Sequence, residues 1–192
     1  THLQTFYVGH TDVVSVLAVS PDGGLIASGC GAAQDVTSSA VRVWPARPGS
    51  LTEAFGDDVE CVVLPFHERG VQSLAFSPDS SLLVSLGAYL DPTLAVWDLS
   101  DGGALLTRCR LPCIMNQVKF QPSSNIDFVT VGEGQRVSFW LLTEERTLKV
   151  HDLVWTAPPA SSGTNEAGVD VAAPFHVTSI EFDQDNPNLM VL

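Results

Sequence analysis

A short pattern occurs four times in the 192 residues of this chain. In each copy a hydrophobic residue stands directly before a turn, and a second hydrophobic residue stands two positions earlier. Self-similarity at a period of roughly 40–50 residues is typical of folds that stack copies of one structural unit. The residues before the turns are Val19, Phe76, Phe120 and Phe182, at spacings of 57, 44 and 62 residues. The longer first and last spacings indicate insertions within the repeat.

The second copy, residues 67–98, predicts three short antiparallel strands in a row. Hydrophobic residues alternate over the first segment, and turn-forming residues separate it from the next two. The predicted strands are Val71–Phe76, Leu82–Gly87 and Leu94–Trp97, with turns at Ser77-Pro78-Asp79 and Asp91-Pro92. The chain is therefore predicted to be all-β.

A histidine precedes the first of these strands, and a Trp-Asp pair ends the third. His67 and the pair Trp97-Asp98 resemble a WD repeat, the unit that forms one four-stranded blade of a β-propeller. The resemblance implies a scaffold made of blades that pack around a central axis. The resemblance further implies that these 192 residues are a fragment of a propeller. The fragment is expected to contain about three full four-stranded blades and a partial blade at each end.

The repeat divides the whole chain, residues 1–192, into predicted propeller segments. They are the outer strand of a preceding blade at 1–8, blades at about 9–66, 67–112 and 113–155, an insertion loop at 156–176 and an incomplete blade at 177–192. The outer strand of the second blade, at about Ala104–Leu111, alternates in character. This alternation predicts Leu105 and Cys109 on one face and Leu106 and Arg108 on the other.

In the WD family, a histidine, a serine or threonine, an aspartate and a tryptophan form a buried hydrogen-bonded chain that ties a blade together. The resemblance assigns the complete set to the second blade only. The matching residues are His10, Ser28 and Trp44 in the first blade, His67, Ser85, Asp91 and Trp97 in the second, and Thr130 and Trp140 in the third. We therefore expect mainly packing to hold the third blade. We also expect replacement of His67 or Asp91 to destabilise the fold more than replacement of His10.

The trio His67, Ser85 and Asp91 also has the composition of a hydrolytic triad. A catalytic serine must be exposed and must face an oxyanion hole, whereas a serine in the middle of a blade is expected to lie between strands. Gly132-Glu133-Gly134 begins like a dinucleotide-binding motif but lacks the third glycine and the following helix, so a hairpin is predicted there. The sequence thus favours a protein without enzymatic activity, cofactor or metal.

Charge is the second constraint, since 9 basic and 22 acidic residues give a net charge of −13. Binding to nucleic acid or to an anionic membrane surface needs clustered lysine and arginine, so the balance argues against both kinds of partner. The four cysteines follow neither a disulfide nor a metal-ligand spacing, and buried free thiols are predicted. They are Cys30, Cys61, Cys109 and Cys113.

Protein–protein interaction remains as the predicted function. In propellers of this family, partners usually dock on the loops that lead into the first strand and out of the second. The candidate partner-binding residues at these positions are Thr11, Asp12, Glu68, Arg69 and Tyr89. Arg69 and Tyr89 are of the types that most often anchor interfaces.

A more specific resemblance covers Thr5 to about Leu142. The segments FYVGHTD, VLAVSPDGGLIASG and VTVGEGQRVSFW are similar to WD-repeat proteins of cilia and centrioles, such as the echinoderm microtubule-associated-protein-like family. This implies a structural component of an axoneme or centriole, in the cytoplasm and cytoskeleton, with other scaffold subunits, tubulin or microtubule-associated proteins as partners. The net charge of −13 favours a neighbouring scaffold protein over acidic tubulin as the direct contact. The alternative is a general cytosolic or nuclear adaptor, such as the substrate receptor of a ubiquitin ligase.

Overall fold

The structure is a computed structural model that describes residues 7–31, 40–46, 61–154, 177, 179–183, 186 and 190–191. These residues form fourteen strands and a single turn of 3-10 helix at Glu133–Gln135. The strands are β1 Val14–Val19, β2 Leu25–Cys30, β3 Val41–Pro45, β4 Val62–Leu64, β5 Val71–Phe76, β6 Leu82–Gly87, β7 Thr93–Asp98, β8 Ala104–Arg110, β9 Met115–Phe120, β10 Asp127–Gly132, β11 Arg136–Leu142, β12 Leu148–Val154, β13 Glu181–Phe182 and β14 Met190–Val191.

Within the described residues the strands form four antiparallel sheets in chain order. Sheet 1 contains β1 to β4, sheet 2 contains β5 to β8, sheet 3 contains β9 to β12, and sheet 4 is the pair β13 and β14. Short turns reverse the chain direction between successive strands. Between β5 and β6, for example, the Ser77 N–H donates to the Leu82 carbonyl at 2.9 Å. The predicted all-β architecture with three four-stranded sheets is confirmed, and β10 and β11 form the predicted hairpin.

Some predicted segments lie outside the described residues. They include most of the outer strand at 1–8 and the insertion loop at 156–176. Tyr7 and Val8, which the structure does describe, have no regular secondary structure. The bounds of the individual blades stay a prediction.

Apolar layers hold the sheets together. Side chains alternate between the two faces of each strand, and the buried faces of neighbouring sheets meet. Burial of each large aliphatic or aromatic side chain contributes about 1.5–3 kcal/mol. The layers contain Leu25, Val43, Leu74 and Trp97 between sheets 1 and 2, Leu86, Phe120 and Phe128 between sheets 2 and 3, and Val131, Val177 and Ile180 beyond sheet 3.

One strand departs from the predicted alternation. Leu106 is an extra residue in β8, since Val96 pairs with Thr107 whereas the next residue of β7 pairs with Leu105. Leu106 and Cys109 both pack in the layer between sheets 2 and 3, and Leu105 is exposed. The prediction that placed Leu105 with Cys109 is therefore wrong, because a β-bulge reverses the alternation on one side of it.

Hydrogen bonds between equivalent turns align the stacked sheets. The Asp22 N–H donates to Ser80 Oγ at 3.4 Å, and the Asp79 N–H donates to Asn125 Oδ1 at 3.1 Å. The turns that follow β1, β5 and β9 therefore lie at one end of the sheets, which we call the first-turn end. The opposite end carries the connections into β1, β5 and β9 and the connections that follow β2, β6 and β10. We call it the loop end.

Two further bonds repeat along the first strands of the sheets. Ser73 Oγ accepts from the Val118 N–H at 3.2 Å, and Gln117 Oε1 accepts from the Ile180 N–H at 2.7 Å. Ser73 and Gln117 occupy the same position in β5 and β9, two residues after the start of each strand. Each bond thus ties the first strand of one sheet to the beginning of the next sheet.

Candidate functional site

The loop end of sheet 2 holds a buried chain of hydrogen bonds. Trp97 Nε1 donates to Ser85 Oγ at 3.0 Å, and Ser85 Oγ lies 2.8 Å from His67 Nε2. His67 Nδ1 lies 3.0 Å from Thr93 Oγ1 and 3.6 Å from Asp91 Oδ2. The structure therefore brings together the four residues that the family resemblance assigned to the second blade, and it adds Thr93 as a fifth.

The donors in this chain point toward the Asp91 carboxylate. Thr93 Oγ1 donates to Asp91 Oδ1 at 2.9 Å, so its oxygen is left to accept from His67 Nδ1. This places a proton on Nδ1 and leaves Nε2 to accept from the Ser85 hydroxyl. His67 and Ser85 are fully buried. A substrate therefore has no access to the serine, and the trio lacks the exposed nucleophile of a hydrolytic triad.

Asp91 links the buried chain to the loop in front of it. The Glu68 N–H donates to Asp91 Oδ2 at 2.7 Å. Burial raises the pKa of Asp91, but the hydrogen bonds from His67, the Glu68 amide and Thr93 together outweigh burial and lower the pKa to about 2. The Asp91 side chain is only 11% exposed, so solvent screens these interactions weakly. The carboxylate is therefore ionised at neutral pH and fixes the loop at Glu68.

We expect Asp91 to make the stability of the protein depend on pH between about 4 and 2. Its folded pKa of about 2 lies below the ordinary value of 3.8, so the unfolded chain takes up the proton first. The stabilisation is therefore complete above that ordinary value and is lost as the pH falls through the folded pKa, by about 1–2 kcal/mol. Urea denaturation over this range measures the loss. Asp91→Asn should flatten this part of the curve and Asp101→Asn, an exposed control, should not; an unchanged curve for Asp91→Asn would refute the assignment.

Sheet 1 has a similar chain that ends on a thiol instead of a carboxylate. Trp44 Nε1 donates to Ser28 Oγ at 2.7 Å, and Ser28 Oγ lies 2.7 Å from His10 Nε2. His10 Nδ1 lies 3.2 Å from Cys30 Sγ, which donates to the Asp12 carbonyl oxygen at 3.5 Å. Cys30 thus takes the place beside the histidine that a threonine and an aspartate take in sheet 2.

The chain in sheet 1 is uncharged. Burial raises the pKa of the Cys30 thiol, so the thiol keeps its proton and donates. Burial, and then the nearby Arg42 guanidinium, lower the pKa of His10 and favour the neutral ring. Without a carboxylate at its end, this chain is expected to stabilise its sheet less than the chain in sheet 2 does.

Sheet 3 keeps only the tryptophan link. Trp140 Nε1 donates to Thr130 Oγ1 at 2.9 Å. Leu111 lies four residues before β9, where sheets 1 and 2 have a histidine, and it packs in the layer between sheets 2 and 3. The Trp140 ring stacks on Phe128 at 6.1 Å between centroids. Apolar packing therefore replaces the rest of the polar chain.

The five residues predicted to bind a partner all lie at the loop end, and we call them the loop-end surface. Thr11, Glu68, Arg69 and Tyr89 are exposed, and Asp12 is half-buried. The Ala88 N–H donates to the Gly70 carbonyl at 2.9 Å, so the loop that carries Glu68 and Arg69 lies against the turn that carries Tyr89.

Gly70 joins the parts of this surface that come from sheets 1 and 2. Its φ of +113° is a conformation that favours glycine, and a Cβ there would lie 2.8 Å from the carbonyl oxygens of Cys30 and Gly31. Cys30 in turn contacts Asp12. This close approach makes Arg69 and Asp12 members of one continuous surface.

Sequence reasoning missed two apolar residues at the loop end. Leu90 is 72% exposed beside Tyr89, which is 68% exposed, and Val13 is 82% exposed. The signal available in the sequence was an aromatic-aliphatic pair at a turn, where polar residues are usual. Exposed apolar side chains grouped at one place are typical of a binding surface.

Among the described residues, the cysteines and the metal-ligating residue types do not form a second site. All four cysteines are free, but only Cys30 is buried, and Cys61, Cys109 and Cys113 are half-buried. Burial raises the pKa of Cys109 to about 11, so this thiol is not activated. In the part of the chain that the structure describes, no group of three or more His, Cys, Asp or Glu side chains is arranged to hold a metal ion. The same residues contain no helix long and apolar enough to span a membrane.

Comparison with known proteins identifies the repeat. The family model described as WD domain, G-beta repeat matches residues 1–44 and 59–98. WD repeat-containing protein 90 of Xenopus tropicalis is 31% identical over 161 residues, which cover 84% of this chain and 8% of that protein. Centriole proteome protein 16 of Chlamydomonas reinhardtii is 38% identical over 122 residues, which cover 53% of this chain and 6% of that protein. Echinoderm microtubule-associated protein-like 3 of Homo sapiens is 33% identical over 143 residues, which cover 71% of this chain and 15% of that protein.

Solved structures agree on the fold. Sqt1 from Chaetomium thermophilum superposes with a TM-score of 0.66 at 19% identity, over 92% of this chain and 40% of that chain. The Swd1 β-propeller domain from Myceliophteria thermophila superposes with a TM-score of 0.58 at 18% identity, over 78% of this chain and 41% of that chain. The chain therefore belongs to the WD-repeat β-propeller family, and its relatives include the centriolar and microtubule-associated-protein-like WD-repeat proteins that its sequence resembles.

Proposed function

We propose that this chain is part of a non-enzymatic scaffold that binds other proteins through its loop-end surface. The observation that carries the proposal is the exposure of Tyr89 and Leu90 beside Arg69. Tyrosine and arginine are among the residues that supply most of the binding energy in interfaces, and here Tyr89 and Arg69 stand on two adjacent loops. The exposed Leu90 adds apolar surface beside them.

The buried chain beneath the surface supports this role. Asp91 binds the Glu68 N–H and Thr93, and the Ala88 N–H binds the Gly70 carbonyl. The two loops are thus held in place before a partner arrives, which reduces the entropy lost on binding. In this account the polar chain has a structural role, because it orders the surface and takes no part in chemistry.

We further propose that the scaffold is a structural component of a microtubule-based assembly, an axoneme or a centriole, in the cytoplasmic cytoskeleton. Support comes from relatives whose names place them in the centriole proteome or among microtubule-associated proteins. The net charge of −13 favours contact with a neighbouring scaffold protein or a microtubule-associated protein over direct contact with acidic tubulin.

The test of the assembly is the location of the full-length protein in a ciliated cell. We expect a fluorescently tagged protein to concentrate at centrioles or along the axoneme and to remain there after soluble protein is extracted with detergent. Diffuse cytosolic or nuclear signal that detergent removes would contradict the assembly. It would instead favour a general adaptor, such as the substrate receptor of a ubiquitin ligase.

A further inference from the structure

A groove of about 530 Å³ lies at the first-turn end, away from the loop-end surface. Its lining repeats from sheet to sheet, because equivalent turns and equivalent strand ends contribute to it. Among its lining residues are Pro21, Pro78 and Pro122 from the turns and Ala18, Ala75 and Lys119 from β1, β5 and β9. The groove is therefore built from three adjacent repeats, and its lining is mainly apolar.

Hydrogen bonds hold the turns around the groove in fixed positions. Ser20 Oγ donates to Asp22 Oδ1 at 2.5 Å, and Ser77 Oγ donates to Asp79 Oδ1 at 2.6 Å. The bond from the Asp22 N–H to Ser80 sets the distance between the first two turns. A site that is formed before binding loses less entropy when a ligand arrives.

The rim of the groove is negatively charged. Asp22 and Asp79 directly follow the lining prolines, and the turns that carry them are open to solvent. Hydrogen bonding to Ser20 lowers the pKa of Asp22. Burial raises the pKa of Asp79, but bonds from Ser77 and Ser81 outweigh burial and lower it. Both side chains are therefore anions at neutral pH.

The other charged residues at this end of the sheets do not make the surroundings of the groove positive. Lys119 lines the groove, but its ammonium group forms an ion pair with Glu181. Farther out at the same end of the sheets, β7 ends at Asp98, and the turns after β7 and β11 carry Asp101, Glu144 and Glu145 and one cation, Arg146, among the described residues. An apolar groove with carboxylates in the turns beside it complements an apolar segment that carries positive charge better than it complements nucleic acid or an acidic peptide.

We propose that this groove binds an apolar protein segment flanked by lysine or arginine residues. The apolar part of the segment is buried against the prolines and strand ends, and its cations meet the carboxylates of Asp22 and Asp79. This surface lies at the opposite end of the sheets from the loop-end surface. The proposal therefore goes beyond the proposed function, because it gives the scaffold two docking surfaces that two partners occupy at once.

The test uses the full-length protein and a fluorescent peptide probe of sequence Lys-Lys-Leu-Phe-Leu-Lys-Lys, with binding followed by fluorescence anisotropy. Pro122→Arg places a cation in the rim and should weaken binding about tenfold or more. The matched control is Pro112→Arg, since Pro112 is also exposed but lies at the other end of β9. This control should change binding less than about twofold.

A second pair of variants changes charge without changing shape. Asp22→Asn with Asp79→Asn keeps the Oδ1 acceptors that the serines use, so the turns survive, and binding should weaken about fivefold. Glu133→Gln removes one charge at the loop end, outside the loop-end surface, and should weaken binding less than Asp79→Asn alone. Equal weakening by Glu133→Gln and Asp79→Asn would overturn the proposal, and so would the absence of binding by the wild-type protein. Equal binding of the peptide Lys-Lys-Gly-Ser-Gly-Lys-Lys would also overturn it, because that result would show attraction by net charge alone.

Discussion

Replacing His67 with alanine should lower the free energy of unfolding by about 3 kcal/mol, and the same change at His10 by about 1 kcal/mol. His67 is fully buried, and its loss removes the acceptor of the Ser85 hydroxyl proton and the donor to Thr93 Oγ1. It also removes packing on the Phe66 ring, whose centroid lies 5.1 Å from that of His67. His10 is only half-buried, and its chain ends on a neutral thiol.

Chemical denaturation of the full-length protein measures both changes. His151→Ala is the control, because His151 is exposed on β12, and it should cost less than about 0.5 kcal/mol. Equal losses at His67 and His10, or a larger loss at His10, would contradict this prediction. Either result would show that the hydrogen-bonded chain ending on a carboxylate stabilises its sheet no more than the chain ending on a thiol.

The second large effect is expected at Gly87, where β6 ends. A Cβ at this position would lie 2.0 Å from the Asp91 carbonyl oxygen, 2.9 Å from Thr93 Oγ1 and 3.0 Å from His67 Nδ1. Gly87→Ala must therefore displace the turn that carries Asp91 and break the buried chain, at a cost of about 3 kcal/mol or more.

Gly102→Ala is the matched control for Gly87→Ala. Gly102 has a φ of +62°, but a Cβ added there would meet nothing within 4 Å, so its substitution strains only the backbone. It should cost about 1–2 kcal/mol. Thermal denaturation distinguishes the two variants, and a Gly87→Ala protein as stable as Gly102→Ala would show that the turn adapts without cost.

The fold was predictable because its signals are local and repeated. Alternating residues and Ser-Pro-Asp turns specify each hairpin, and the spacing of Val19, Phe76 and Phe120 specifies the stacking of the sheets. The spacing of His67, Ser85 and Trp97 within the repeat also brings these side chains together. Trp97 lies opposite Leu83 on the neighbouring strand, two residues from Ser85, and its indole reaches the Ser85 hydroxyl. Such residues meet wherever the repeat is regular.

The parts that could not be predicted depend on departures from the repeat or on contacts between repeats. Cys30 ends β2 as Gly87 ends β6, so a side chain enters sheet 1 at a place where sheet 2 has none. Its contact with His10 follows from the path of the backbone and not from a motif. Ser73 and Gln117 bind amides of the next sheet, and a single repeat contains no sign of that pairing.

The sequence also does not predict the β-bulge at Leu106. Leu105 and Leu106 are chemically identical, so the pattern alone does not indicate which of them turns inward. The exposure of Leu90 could not be predicted for a different reason. The pair Tyr89-Leu90 at a turn is a signal in the sequence, but a leucine in a loop can equally pack inward, and only the structure shows that this one is exposed.

The most direct test of the scaffold account is affinity capture from cells, followed by mass spectrometry, of the full-length protein and a loop-end variant. Arg69→Glu with Tyr89→Ala changes two exposed anchors, so the fold should survive and partner proteins should be lost. The control is Arg110→Glu with Val150→Ala, an exposed pair on the outer strands β8 and β12. The account predicts that the loop-end variant loses at least one partner that wild type and control both retain. Retention of every partner by the loop-end variant, or a loss confined to the control, would contradict it.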